Sequence, residues 1–374
     1  MEQIKVIQFL YGLDDGGVET LVKDYATLID AQKFDLMIVI IRKYRDTANR
    51  RLVEAANIPV IAIYPCWNVF TKLWQVTMGR WYVPYKLRRI LRDNQTQVLH
   101  THMALLKYVK RIGKELQGVR LFYTCHSLPK RYLGKKEVPA EYDAAKYLLE
   151  NHELQFAALH QDMANELNDL FGIDNTVVIR NGIDFNRFRN LPISKQEKRC
   201  ELQIPANAFV LGHVGRFVEY KNQIFLIDVL NEVLKIKNNA FLLMIGSGNM
   251  SSVEERINEL GLKEHCMILT HRTDVNEILR AMDVFLFPSK FEGLGIALIE
   301  AQVSGLKCVA ADTVPREAFK TEKAIALPLG EPKRWAEVIL DENVKGSPQG
   351  NLDDYDMNKE IRRLEKLYLG ELNE

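Results

Sequence analysis

The stretch Phe287-Pro-Ser-Lys-Phe-Glu-Gly-Leu-Gly-Ile-Ala-Leu-Ile-Glu-Ala-Gln-Val-Ser-Gly305 decides how the rest of this chain is read. The apolar run Val284 to Phe287 reads as a buried strand, stopped by Pro288 and followed by a turn holding Gly293 and Gly295. A helix restarts at Ile296, and Ile296, Ile299 and Val303 are spaced for one buried face. Glu292 falls at the carboxyl end of the strand and Glu300 inside the helix. Ligands of open parallel sheets bind there, over strand ends and beside helix N-termini. The spacing alone equally describes a capping carboxylate followed by a surface one, so the neighbouring segments carry the decision.

Working outward, the same strand-then-helix rhythm recurs. Before this stretch, strands are expected at Phe209–Val214, Phe241–Ile245 and Met267–Leu269, and after it at Lys307–Ala311. An earlier series is expected at Ile4–Leu10, Asp35–Ile41, Val60–Ile63, Val98–Thr101, Arg120–Thr124, Gln155–Leu159 and Thr176–Ile179. Segments long enough for helical crossovers separate them, which predicts an α/β chain of two doubly wound parallel sheets. The polar, proline-bracketed segment Asp184 to Pro205 reads as the linker. The expected domains are 1–190 and 191–352, with an amphipathic C-terminal helix over about 353–374.

The 374 residues suffice for two cores, and the 47% hydrophobic and 26% charged composition excludes disordered and fibrous classes. Residues 1–190 carry 27 Lys+Arg against 21 Asp+Glu (+6), and the remainder 23 against 28 (−5). A basic first half points that half toward an anionic partner. Cys66, Cys125, Cys200, Cys266 and Cys308 lie far apart without a C-x-x-C pair, arguing for reduced thiols and against zinc. Met1 to Leu10 reads as a first strand and not a signal peptide, and no apolar run reaches membrane-spanning length. A cytoplasmic protein is expected.

Four further features bear on chemistry. Gly16-Gly17 ends the loop after the first strand, where a glycine turn at a helix N-terminus lets backbone N–H groups approach an anion. It is not the G-x-G-x-x-G dinucleotide fingerprint. His102 and His126 each end a strand, as packed capping residues or as imidazoles open to a site. Arg216 and Lys221 flank the exit of a strand into a helix, a surface pair in isolation but two cations suited to a diphosphate. Finally, Arg80 to Arg92 interleaves basic and aromatic residues, Lys107, Lys110, Arg111 and Lys114 share one helical face, and Lys130, Arg131, Lys135 and Lys136 lie in a loop. These are solvated faces or an interfacial surface for anionic lipid heads. No nucleic-acid-binding motif accompanies them.

Taken together, Pro288-Ser289, the aromatic Phe291, Glu292-Gly-Leu-Gly295, Glu300-Ala301 and Ser304-Gly305 resemble the donor-site signature of retaining family 4 glycosyltransferases (glycosyl transferases group 1) of GT-B fold. Gly16-Gly-Val-Glu19, Asn181-Gly-Ile-Asp184 and Gly215-Arg-x4-Lys-Asn222 resemble further family elements, so the likeness spans nearly the whole chain. It implies two Rossmann-like domains facing across a cleft, with the last helix crossing back onto the first. By the same resemblance Arg216 and Lys221 clamp the donor diphosphate, Glu292 accepts from donor-sugar hydroxyls, Glu300 from ribose hydroxyls, and His126 contacts the donor sugar. Gly16, Gly17, Gly246, Arg272, Gly293, Leu294 and Gly295 complete the expected donor-binding set. His160 stands where the family often has Ser, and the family usually has Gly near Thr270–His271.

The expected activity is retaining, metal-independent transfer from a nucleoside-diphosphate sugar, UDP-sugar favoured, to a saccharide or lipid-linked acceptor in cell-surface polysaccharide synthesis. No cofactor beyond that co-substrate and no metal is expected, and a peripheral contact with anionic membrane is. The alternatives are a GT-B nucleotide-sugar epimerase and a catalytically silent nucleotide-sugar-binding partner subunit.

Overall fold

Short apolar runs alternating with helices build two wholly parallel sheets in the computed structural model, which describes residues 3–14, 16–42, 47–66 and 68–372. Asp15 of the first glycine loop, like Met1, Glu2, Asn373 and Glu374, lies outside the described residues. The first sheet holds β1 (Ile4–Leu10), β2 (Phe34–Arg42), β3 (Val60–Tyr64), β4 (Val98–His102), β5 (Arg120–Thr124), β6 (Gln155–Ala158) and β7 (Val177–Val178). Their order is β3-β2-β1-β4-β5-β6-β7. The second holds β8 (Phe209–Val214), β9 (Ala240–Ile245), β10 (Cys266–Leu269), β11 (Val284–Phe287), β12 (Lys307–Ala311) and β13 (Ala324–Leu327), ordered β10-β9-β8-β11-β12-β13. Each sheet therefore reverses its winding once, between β1 and β4 and between β8 and β11. Such switch points leave a crevice at the carboxyl ends of the two strands. The short, alanine-rich β13 was not among the expected strands; it pairs only with β12, at the sheet edge.

The chain divides into two units, one running to Gly182 and resuming at Met357, the other running from Ile183 to Asp356. The expected breaks at 190/191 and 352/353 thus shift to 182/183 and 356/357, and the expected linker is not one. It folds into helices Phe185–Arg189 and Lys195–Glu201, both packed within the second unit. The misreading has an electrostatic cause: the polar residues of this segment are buried with partners supplied from far along the chain. Lys198 is 1% exposed and held by Glu201, Asp274 and Glu277 at 2.7–3.0 Å. Arg199, buried, meets Asp283 at 2.7 Å and donates to the Ala281 carbonyl at 2.9 Å.

Burial pushes the Asp283 carboxyl up, but Lys195, the Val210 N–H and Arg199 outweigh it and hold it below the ordinary range. Arg272, opposed by burial and helped by Lys198, holds Asp274 far lower. A carboxyl that binds its proton less tightly when folded adds stability that is complete above its unfolded value, about 4, and is lost as pH falls through the folded value. Fluorescence of Trp335, fully buried in the second unit, is therefore expected to hold above that pH and to report loosening in stronger acid. A signal already collapsing at pH 5 would contradict this account.

The C-terminal helix Met357–Leu369 belongs to the first unit because of its apolar stripe. Met357, Ile361, Leu364, Leu367 and Tyr368 join one core cluster with Val6, Leu10, Ile38 and Ile40. At about 1.5–3 kcal/mol for each fully buried large side chain, this face dominates the docking. Two carboxylates set its register: Glu360 accepts the Arg180 N–H at 2.7 Å and Glu365 the Asp30 N–H at 2.8 Å.

Candidate active site

The second unit's switch point brings together two loops that are distant in sequence. The one after β8 carries Gly215, Arg216, Tyr220, Lys221 and Asn222; the one after β11 carries Pro288, Ser289, Lys290, Phe291 and Glu292. Hydrogen bonds, a ring stack and an ion pair lace them. Asn222 Nδ2 donates to the Pro288 carbonyl at 3.3 Å, and the Lys290 N–H to the Tyr220 carbonyl at 2.7 Å. The rings of Tyr220 and Phe291 stack at 4.8 Å, and Lys221 Nζ donates to Glu292 Oε1 at 2.5 Å. Both members of that pair are largely buried, with side chains 15% and 11% exposed, and Lys221 also lies 5.0 Å over the Phe287 ring. A close pair with so little water around it stays strong and fixed. Arg216 is exposed, its Nη2 3.2 Å from Tyr220 Oη.

Backbone constraints explain two glycines. A Cβ on Gly246 would sit 2.0 Å from the Gly215 carbonyl oxygen, so Gly246 lets the turn after β9 close on the Arg216 loop. That loop is further held by the Phe217 N–H donating to the Ser247 carbonyl at 2.8 Å. Gly295, at φ +88°, has the left-handed conformation needed where the turn enters helix Ile296–Val303. Gly293 and buried Leu294 precede it, and Glu300 is half-buried on that helix. Beneath the loops lies His213, missed by sequence reading. It is fully buried, its Nδ1 2.9 Å from the Leu286 carbonyl, and burial lowers its pKa to about 4.

Other expected residues are engaged elsewhere. Arg272 is bidentate to Asp274, at 2.7 and 2.5 Å, and reaches Glu201 at 3.4 Å. Its guanidinium thus braces the buried Lys198 cluster. Adjacent His271 sits at φ +54°, the strained left-handed region where a family-like Gly would be at ease. His160 is accounted for: its Nδ1 accepts the Met163 N–H at 3.2 Å, capping helix Gln161–Phe171 as a Ser would.

In the first unit Gly16 is the N-cap of helix Gly17–Leu28, and a Cβ there would meet the Glu19 carboxylate at 2.3 Å, whereas one on Gly17 would meet nothing within 4 Å. At that sheet's switch point a run of buried polar groups crosses the strands. Gln8, His100, His102, Thr124 and Tyr368 are all fully buried, and His126 is half-buried at its end. His126 Nε2 lies 2.8 Å from His102 Nδ1, while the buried His126 Nδ1 has no partner among the described residues. Burial lowers His126 to about 3, and burial with the neighbouring His126 lowers His100 to about 3; His102 is pushed well down too. All three are neutral imidazoles near pH 7.

The same unit carries an apolar surface that the sequence reading only half caught. Helix Val69–Asp93 buries Val83, Leu87 and Leu91, yet Phe70, Leu73, Trp74, Met78, Trp81 and Tyr85 form one exposed stripe, Phe70 at 83% exposure. Their three- and four-residue spacing was the available signal. Beside it a hollow of about 490 Å³ is lined by Tyr11, Arg80, Lys107, Tyr108 and Arg111, among others. The Arg80 and Arg111 guanidiniums lie 5.3 and 5.0 Å from the Trp81 ring.

Comparison with known proteins gives this architecture its class. The structure of HepE from Anabaena in complex with UDP superposes with a TM-score of 0.77, covering 99% of this chain and 100% of that one at 20% identity. At that identity the likeness carries the fold, two Rossmann-like domains of the GT-B type. Two family models match the sequence, "Glycosyltransferase Family 4" over residues 15–187 and "Glycosyl transferases group 1" over residues 208–341. The chain belongs to this glycosyltransferase family. EpsF of Bacillus subtilis is 32% identical over 181 residues, 46% of each chain. The UDP-Gal:alpha-D-GlcNAc-diphosphoundecaprenol alpha-1,3-galactosyltransferase of Escherichia coli is 26% identical over 235 residues, 60% of each. The match therefore spans about half of these curated relatives' length.

Proposed function

We propose that this protein is a retaining, metal-independent glycosyltransferase that moves a sugar from a UDP-sugar to a lipid-linked saccharide in cell-surface polysaccharide synthesis. The observation that carries the reading is the Lys221–Glu292 pair across the β8 and β11 loops, with exposed Arg216 beside it. Breaking the bond between the anomeric carbon and the diphosphate oxygen builds negative charge on the leaving phosphate. Arg216, Lys221 and the N-terminus of helix Ile296–Val303 stabilise it there, without calling on a metal. Glu292 orients donor-sugar hydroxyls and Glu300 the ribose. The acceptor hydroxyl attacks the anomeric carbon from the face the diphosphate leaves, and its proton passes to a phosphate oxygen of departing UDP. His126, neutral, takes a hydrogen bond from the donor sugar.

UDP as the nucleotide and a diphosphate-linked acceptor are supported by the substrates named for the Escherichia coli relative and by the UDP in the HepE structure. The exposed stripe of helix Val69–Asp93 beside the cationic hollow supports a lipid-borne acceptor, since aromatic and aliphatic residues enter the headgroup region while arginines meet phosphate. No helix among the described residues is long and apolar enough to cross a membrane.

The test is transfer from UDP-sugars to polyprenyl-diphosphate saccharides in vesicles containing anionic lipid, with and without EDTA. We expect product of retained anomeric configuration, undiminished by chelation. Thermal stabilisation by UDP but not GDP or ADP is expected alongside. A changed nucleotide sugar formed without acceptor would favour an epimerase instead, and donor binding without transfer or slow hydrolysis a silent subunit.

A further inference from the structure

Six buried or half-buried groups form one continuous hydrogen-bonded line from the C-terminal helix to His126. Gln8 Nε2 donates to Tyr368 Oη at 2.7 Å, although the two residues are 360 positions apart. Gln8 Oε1 lies 2.7 Å from His102 Nε2, His100 Nδ1 lies 2.6 Å from Tyr368 Oη, and His100 Nε2 lies 2.7 Å from Thr124 Oγ1. His102 Nδ1 meets His126 Nε2 at 2.8 Å.

A neutral imidazole has one donor and one acceptor nitrogen, so each link dictates the next. The Gln8 carbonyl oxygen can only accept, so His102 carries its proton on Nε2 and offers a bare Nδ1. His126 must then donate from Nε2, which leaves its Nδ1 as a lone pair, the atom with no partner among the described residues. Turning the Gln8 amide over would reverse every link and put an N–H on that nitrogen. In the orientation found, the Tyr368 hydroxyl accepts the Gln8 N–H and gives its own proton to His100 Nδ1, whose Nε2 N–H then goes to Thr124 Oγ1.

We infer that Tyr368 and Gln8 are positioning residues that decide which ring nitrogen of His126 bears the proton, and so whether His126 accepts from or donates to the ligand it meets. The link to catalysis rests on the proposed role of His126 at the donor sugar; the tautomer assignment itself does not. The C-terminal helix thereby acts on a group of the first sheet's switch point as well as covering the core.

The full chain labelled with ¹⁵N-histidine, with no substrate present, tests this by long-range proton–nitrogen spectra, the His126 signals being identified by their loss in His126→Gln. In the wild type Nε2 is expected to be pyrrole-like and Nδ1 pyridine-like. Tyr368→Phe removes one buried hydroxyl and keeps the ring packing, and should move both His126 nitrogens to averaged positions. Transfer assays on this variant should show kcat reduced about tenfold with KM for the donor unchanged, as for loss of a group that orients a working imidazole. Gln8→Met, of similar volume, should do the same and carries the test if Tyr368→Phe fails to fold. An unchanged His126 tautomer in either folded variant overturns the inference, as does an activity loss with the tautomer intact. Because the spectra need no substrate, they are read independently of whether the chain transfers sugar.

Discussion

Replacing Lys221 with Ala is expected to lower kcat/KM for the nucleotide-sugar donor by about 10²- to 10³-fold, the loss seen when one preorganised group that stabilises developing charge is removed. The ammonium is fixed before any ligand arrives, by Glu292 at 2.5 Å and by the Phe287 ring beneath it, so little reorganisation is needed when phosphate charge appears. Arg216, exposed and hydrogen-bonded to Tyr220, has the reach for a bidentate grip but not that rigidity. Lys221→Arg should recover only part of the loss, because a forked guanidinium does not fit where a compact charge sits against a ring. Glu292→Gln keeps the shape and removes the counter-charge, so transfer should fall while the fold holds. Steady-state kinetics with the true donor decide it: a Lys221→Ala enzyme within about threefold of wild type would remove Lys221 from the chemistry.

The second large effect is on stability. Asp283→Ala should destabilise the second unit by about 3–5 kcal/mol, the cost of leaving a buried ion without its counter-ion. Asp283 pairs with Lys195, accepts the Val210 N–H at 2.7 Å, and neutralises Arg199, which is 5% exposed. Without it Arg199 keeps its carbonyl acceptors at Ala281 and Ala206 but loses the carboxylate it pairs with. Lys195→Ala should cost far less, about 0–1 kcal/mol, because that partner is already part-solvated at 36% exposure. Denaturant titration followed by Trp335 fluorescence separates the two variants. Equal, small losses in both would mean that Arg199 finds water or another partner.

How much of this was legible differs between motif and constellation. The Glu292-Gly-Leu-Gly295 turn and the Gly215-Arg216 to Lys221 exit are local: a strand ends, a glycine turns the backbone, and a helix begins within a dozen residues. Hydrophobic periodicity located the strands for the same reason, missing only the short edge strand β13, whose Ala324-Ile-Ala-Leu327 is too brief and small to stand out. The segment after Asn181-Gly182 misled because charge there signals solvent in one dimension. In three, Lys198 and Arg199 turn inward to carboxylates 76 to 84 positions downstream.

By itself, then, the sequence determined two doubly wound sheets, the family, and which residues stand at each strand exit, because strand period, helix period and glycine turns are properties of consecutive residues. Only the tertiary structure decided that Lys221 meets Glu292, that Arg272 serves Asp274, and that Tyr368 reaches Gln8 and His100. Those pairings depend on distance in space and on the absence of water around buried polar atoms, and neither quantity is written in the order of the chain.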